Sequence, residues 1–267
     1  MSTDELERSL PARGLGEILN ATFVIYGRHF KQFAALAAVV QVPVTLLGLI
    51  PGDGVIAFIV LNVISLLALT AVYGATISGV GQRYVTGDVA VGRCYTRLLW
   101  RMVSMAVLGT VMAALTVAGI LAIDRQAPLL VSFVIFAGLA AYLLYLAVAA
   151  PVVMVEGYRF TGALRRSYGL VRHSEWRIIG NLAVYLLVAF GMSIVLLLPF
   201  LLVSFGAAPD DTTFVSHAIQ IVASVIVGVV VPPVIFIAVT LLYYDLRVRN
   251  EEYDVVRLSQ EMGVIAA

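Results

Sequence analysis

Charge is scarce in this sequence. Asp, Glu, Lys and Arg make up 12% of the 267 residues, against about 25% in a soluble domain, so too few are present to cover a water-facing surface. Lysine is nearly missing: Lys31 is the single lysine among 17 basic residues, and the preference for arginine fits a high-GC source. One cysteine, Cys94, excludes an internal disulfide framework and a cysteine-based zinc site. A net charge of +1 gives no global attraction for nucleic acid. The opening residues, Met1 to Arg8, are acidic and polar. They lack the basic start and short apolar core of a cleavable signal, so insertion is expected to use the first membrane helix.

Apolar residues are what the chain has in abundance, at 61%, with a mean hydropathy of +1.01. Runs long enough to cross a hydrocarbon layer about 30 Å thick recur along the sequence. Six spans are expected, near 31–50, 55–80, 102–123, 128–155, 178–205 and 214–244. Turn-forming links separate the members of each pair: Pro51 to Gly54, Asp124 to Pro128, and Gly206 to Asp211. Arg125 is the only basic residue in these links. Basic loops stay in the cytoplasm, so both termini are expected there. Trp100, Trp176, Tyr243 and Tyr244 fall at cytoplasmic span ends, where amphipathic rings suit the headgroup layer.

Each pair of spans follows a segment with helical periodicity. Leu15, Ile18, Leu19, Thr22, Phe23, Tyr26 and Phe30 form one stripe. Val91, Tyr95, Leu98, Leu99 and Met102 form a second, with Arg93, Arg97 and Arg101 on another face. Phe160, Leu164, Tyr168 and Val171 form a third, opposite Arg159, Arg165, Arg166 and Arg172. All three begin alike, at Leu15-Gly16-Glu17-Ile18, Val91-Gly92-Arg93-Cys94 and Thr161-Gly162-Ala163-Leu164. The pattern predicts one all-α polytopic membrane domain over residues 1–267. It is built of three tandem units of interfacial amphipathic helix plus transmembrane hairpin, near 14–82, 90–156 and 160–245, followed by a short cytoplasmic tail, 246–267.

Little in the spans supports chemistry. Their interiors lack Lys, Arg and Glu, with Asp only at span ends, and such charged groups are the usual mark of proton relays and ion pathways. His29, His173 and His217 share no ligand spacing, so neither a metal nor a cofactor is expected. Glu156 and Asp245 are lone carboxylates expected to pair with nearby arginines rather than act as general bases. Asn62, Asn181, Tyr142, Tyr145, Tyr185 and Gln220 can serve as interhelical hydrogen-bonding groups. Ala71, Ala75 and Gly79, with Gly74 and Ser78 beside them, have the small-residue spacing of close helix packing. Pro43, Pro151, Pro199 and the Pro232-Pro233 pair each remove a backbone donor, and a kink is expected at the pair. The arginines of the cytoplasmic side, Arg93, Arg97, Arg101, Arg165, Arg166, Arg172, Arg247 and Arg249, are the candidate contacts for anionic lipid headgroups or a membrane-protein partner.

Three motifs carry a family resemblance. Leu15-Gly16-Glu17-Ile18 with Tyr26-Gly27-Arg28-His29-Phe30, the segment Ala163 to Arg172 with Trp176-Arg177, and Leu241 to Arg249 resemble the membrane domain named after glycerophosphoryl diester phosphodiesterases. The resemblance covers nearly the whole chain. In that family the membrane region is sometimes fused to a phosphodiesterase domain and often stands alone, especially in high-GC bacteria and in archaea, so the resemblance implies a bacterial or archaeal source. Here there is no room for that barrel and no metal-binding carboxylate cluster, so the hydrolase activity is not implied. A non-catalytic protein of the cell membrane is expected, a scaffold, anchor or accessory subunit. The alternative is a transporter or channel for a lipid or small neutral solute.

Overall fold

The computed structural model describes residues 10–47, 55–124, 130–131, 133–134, 138, 147–172, 174–206, 212–251 and 253–263. No strand occurs among the described residues. The helices are α1 (Leu15–Arg28), α2 (Phe30–Leu47), α3 (Val55–Thr86), α4 (Val91–Asp124), α5 (Ala147–Glu156), α6 (Phe160–Val171), α7 (Glu175–Gly206), α8 (Thr212–Glu251) and α9 (Val255–Glu261). Five have stretches long and apolar enough to cross a membrane: Phe30–Leu47, Ile59–Thr86, Val91–Gly119, Glu175–Leu202 and Ile219–Glu251. Half of the fourth expected span, 128–155, lies outside the described residues, as do most of the short links, Tyr142, Tyr145 and His173. Its end is seen as α5, a shorter apolar helix.

Local chemistry sets the helix ends. Glu17 reaches back to accept the Gly14 N–H at 2.7 Å, satisfying a donor that α1 leaves open. α1 stops at His29, whose N–H bonds the Ile25 carbonyl at 3.1 Å, and α2 begins at the next residue. Gly87 closes α3 with a φ of 81°, in the left-handed region that a glycine enters without strain. The last turn of α5, Val152–Glu156, widens to a π-helix and ends on Gly157, whose φ is 79°. No break separates the expected interfacial helix near 91–101 from the span after it; α4 runs through both, about 50 Å at 1.5 Å per residue.

α3 lies at the centre, packed against α2, α4 and α8, and α8 also packs against α1 and α7. Within lipid no hydrophobic force pulls helices together, so close approach must do so. The small residues of α3 permit it. A Cβ at Gly74 would meet Leu98 Cδ1 at 2.7 Å, and one at Gly79 would meet Phe33 Cε1 at 3.1 Å. Gly109 of α4 comes as close to Thr70, where a Cβ would stand 2.8 Å from Oγ1. α8 passes through Pro232-Pro233 as one helix, and beside the pair the Tyr26 hydroxyl donates to the Val230 carbonyl at 2.9 Å.

Several stripe residues face the opposite way from the expectation. On α4 the buried positions are Cys94, Leu98, Met105 and Leu108, while Leu99 and Met102 are exposed. Arg97 and Arg101 lie on that inner side and bond to backbone carbonyls of α5. On α6 the buried residues are Ala163, Ser167, Leu170 and Val171; Tyr168 is exposed and Arg166 turns inward. On α1, Ile18, Thr22, Ile25 and Tyr26 are buried, whereas Phe23 and Phe30 are not. The reason is the surroundings. An apolar side chain loses little by facing lipid, whereas Arg97, Arg101 and Arg166 gain carbonyl and carboxylate partners by turning in; Arg93, Arg159, Arg165 and Arg172 stay exposed.

Candidate functional site

The last turns of α8 are the hub of the molecule. Tyr243, Arg247 and Glu251 succeed one another at i, i+4 and form one face; Asp245 and Arg249 lie on another, because two residues along a helix rotate the side chain by about 200°. Each face binds a different part of the chain.

On one face, Asp245 is the anchor. Its side chain is 1% exposed and receives Arg177 Nη2 at 2.8 Å and Arg249 Nε at 3.0 Å. It also accepts the backbone N–H of Arg13 at 2.7 Å. Arg177 and Arg249 donate in turn to the Arg13 carbonyl, at 2.6 and 3.3 Å. The Arg13 side chain reaches the Tyr84 hydroxyl at 2.8 Å. Thus a single carboxylate ties the N-terminal segment, the start of α7 and the end of α8 together. One turn further into α7, Asn181 donates to the Arg177 carbonyl at 2.7 Å and accepts the Tyr185 hydroxyl at 3.2 Å.

On the other face, Arg247 is the anchor. It donates to both oxygens of Glu261, at 2.8 and 3.0 Å, and to Glu251 at 3.2 Å. Its guanidinium carbon lies 3.6 Å from the centre of the Tyr253 ring. Glu156, at the end of α5, accepts Tyr243 at 2.8 Å and Arg166 at 3.0 Å, and Arg166 also pairs with Glu251. Burial opposes the Arg166 cation, yet the adjoining Glu156 and Glu251 carboxylates outweigh that cost and hold it above its ordinary value. The phenol of Tyr253 is pushed up, first by burial and then by Tyr244 and Glu261.

Arg97 and Arg101 complete this side. The final carbonyls of a helix have no partner within it, and its C-terminus favours cations. Arg97 donates to the Met154 carbonyl at 3.1 Å, and Arg101 donates to that of Val153. Arg97 also holds the tail, donating to the carbonyls of Glu261 and Met262 at 2.9 Å each.

A family model described as the membrane domain of glycerophosphoryl diester phosphodiesterase matches residues 120–262, more than half of the chain. The chain belongs to this family. α6, α7 and α8 of this membrane-domain protein lie within the matched residues, and so do two of the three motifs read from the sequence; the Leu15–Phe30 motif and the hub members Arg13, Tyr84, Arg97 and Arg101 lie outside. No curated protein and no solved structure matches the chain. The family and the five apolar helices make it a multi-pass integral membrane protein.

The candidate arginines separate into two groups. Arg97, Arg101, Arg166 and Arg247 turn into the protein, and Arg249 is exposed but bonded to Asp245. Arg93, Arg165 and Arg172 are exposed. Glu156 and Asp245 pair with arginines, as their sequence surroundings led us to expect. Among the described residues no three His, Cys, Asp or Glu side chains gather as a metal site would need. The sequence reading missed Arg13, Tyr84, Tyr253, Glu251 and Glu261 as members of the hub. Only the Arg247–Glu251 pair left a signal, its i, i+4 spacing; the others come together through tertiary structure.

Proposed function

We propose that this protein is a non-catalytic membrane anchor or accessory subunit that organises other components of the cell membrane. The observation that carries this reading is how its charged groups are used. Glu156 and Asp245, the two carboxylates placed best for acid–base work, are occupied by internal arginines, a tyrosine and a backbone N–H. A general base needs an oxygen within reach of a substrate proton; these oxygens fasten the chain to itself. The outer face of α7, by contrast, presents Leu187, Phe190, Val195 and Leu202, each at least 63% exposed, to whatever adjoins it in the membrane.

Six crossings with both termini on one side are part of the proposal, and the hub supports them. Arg13, Tyr84, Arg97, Glu156, Arg166, Arg177, Arg247 and Glu261 meet at one end of the bundle. α4 leaves that end at Arg97 and runs to Asp124, about 40 Å away. Glu156 is back at the hub, which is what a pair of crossings between Arg97 and Glu156 would require. The same parity applies to the hairpins before and after. Exposed Trp100 and Trp176, at 91% and 86%, suit a headgroup layer at the hub end. That end is cytoplasmic by the basic-loop rule, and Arg93, Arg165 and Arg172 face anionic lipids there, each gaining about 1 kcal/mol. The three tandem units remain part of the reading, with the second unit's interfacial helix continuous with its span.

The test has two arms. A photo-crosslinking residue at Leu187 or Val195 in native membranes is expected to trap a discrete protein partner at fixed stoichiometry; adducts with lipid alone would contradict the anchor role. Purified protein in nanodiscs is expected to leave glycerophosphodiesters and phospholipids intact, and turnover above a protein-free blank would contradict the non-catalytic reading.

A further inference from the structure

We propose that the C-terminal segment, residues 253–263, is a lid over an oxyanion-binding pocket built by Arg97, Arg247 and Tyr244, and that Glu261 occupies this pocket in place of a phosphate-bearing ligand. The inference goes beyond the anchor reading and does not depend on it. Glu261 touches Arg247 as an incoming anion would, with its two oxygens on Nη1 and Nη2 at 2.8 and 3.0 Å. This is the planar fork in which guanidinium holds carboxylate or phosphate. Arg97 points Nη1 and Nη2 at the carbonyls of Met262 and Glu261. Both arginines therefore converge on the tail, Arg247 on the Glu261 carboxylate and Arg97 on the carbonyls of Glu261 and Met262, and departure of the whole segment frees two donor nitrogens on each.

A third donor lies beneath the tail. The Tyr244 hydroxyl is buried, its residue 2% exposed, and has no hydrogen-bond partner among the described residues. It lies beside Gly81 under Met262: a Cβ at Gly81 would stand 3.4 Å from that hydroxyl and 2.9 Å from Met262 Cε. A buried hydroxyl without a partner is costly, and a ligand oxygen would supply one. Two guanidinium forks and a phenol offer more donors than a carboxylate can accept, whereas a phosphate group has the oxygens to take them. The pocket also lies at the hub end of the bundle, where lipid phosphates lie if exposed Trp100 marks the headgroup layer.

The lid is built to leave. α9 has seven residues, from Val255 to Glu261, too few to be helical on its own. It is held by its N-cap Asp254, by burial of Tyr253, Leu258 and Met262, and by the Arg97 and Arg247 contacts. Exchanging Glu261 for a singly charged phosphodiester leaves the charge around Arg247 unchanged, so the swap requires no other ion to move.

The experiment uses the full chain in phosphatidylcholine nanodiscs with inorganic phosphate as probe. Glu261→Gln is expected to bind phosphate about ten- to a hundredfold more tightly than the parent, the size of one charge-assisted contact removed from competition. Arg247→Met in that background is expected to return affinity to the parent level. Hydrogen exchange on the unmutated protein supplies a second readout that does not rely on a variant folding. Amides of 255–263 are expected to exchange faster when phosphate is added or when phosphatidylglycerol is included in the discs. A response to phosphate identifies a soluble oxyanion, and a response to phosphatidylglycerol alone identifies a lipid headgroup. If neither anion loosens the tail and neither binds the Glu261→Gln protein more tightly, the segment is a permanent clasp and the proposal is overturned.

Discussion

Replacing Asp245 with asparagine keeps the shape of the side chain and removes its charge. In the native protein this carboxylate is 1% exposed and neutralises Arg177 at 2.8 Å and Arg249 at 3.0 Å while accepting the Arg13 N–H. Stripping one partner from a fully buried ion pair costs about 3–5 kcal/mol, because the remaining charge is left uncompensated. Arg177 and Arg249 are 33% and 40% exposed, however, so water relieves part of that cost. About 2–3 kcal/mol is the expected net loss, or about 4–6 °C in Tm for a chain of this size. Thermal scanning in one detergent, with tryptophan emission and light scattering as probes, measures it. A double-mutant cycle separates charge from shape. Arg177→Met with Asp245→Asn, which removes both members of the shorter pair and leaves Arg249 alone unpaired, is expected to recover part of the loss. A Tm for Asp245→Asn within about 1 °C of the parent would refute the idea that this carboxylate fastens the N-terminal segment to α7 and α8.

Two further outcomes follow from the packing and the interfacial charge. Gly109→Ala places a methyl 2.8 Å from Thr70 Oγ1 and 3.2 Å from its Cβ, a short branched side chain with little room to give; overpacking of this kind costs about 1–3 kcal/mol. Its Tm is expected to fall, while Gly92→Ala, where a Cβ meets nothing within 4 Å, leaves Tm unchanged or raises it. His29 has its pKa held below the ordinary 6.5, first by burial and then by Arg83 and Arg28 against Asp88. A lowered folded-state value means that the unfolded chain takes up the proton first. The contribution of His29 is therefore present above pH 6.5 and is lost as pH falls below it. Tm between pH 7.5 and 5 is expected to drop less for His29→Asn than for the parent, and equal slopes would contradict the assignment.

Much of the fold was legible because membrane crossing depends on length and apolarity, both read directly from sequence. The helices over 30–47, 55–86 and 175–206 match the expected spans closely. Helix facing was less legible. Periodicity gives a stripe but not which side of it is inside, and the usual assumption that the apolar stripe is buried holds in water. Here Leu99, Met102 and Tyr168 face out, while Arg97, Arg101 and Arg166 find carbonyls and carboxylates within the protein. The pairing of Glu156 and Asp245 could be anticipated from the arginines near them in sequence. The roles of Arg13 and Glu261 could not, since each lies more than 160 residues from a hub partner it meets.

The most direct test of the hub is the sidedness of the segments it joins. Single cysteines at Ala12, Arg93, Arg165 and Arg257, in a Cys94→Ala background, can be labelled in sealed, oriented vesicles with a membrane-impermeant maleimide. All four are predicted to react from the same, cytoplasmic side. Labelling divided between the two sides would contradict the convergence of the N-terminal segment, both basic loops and the tail at one end of the bundle.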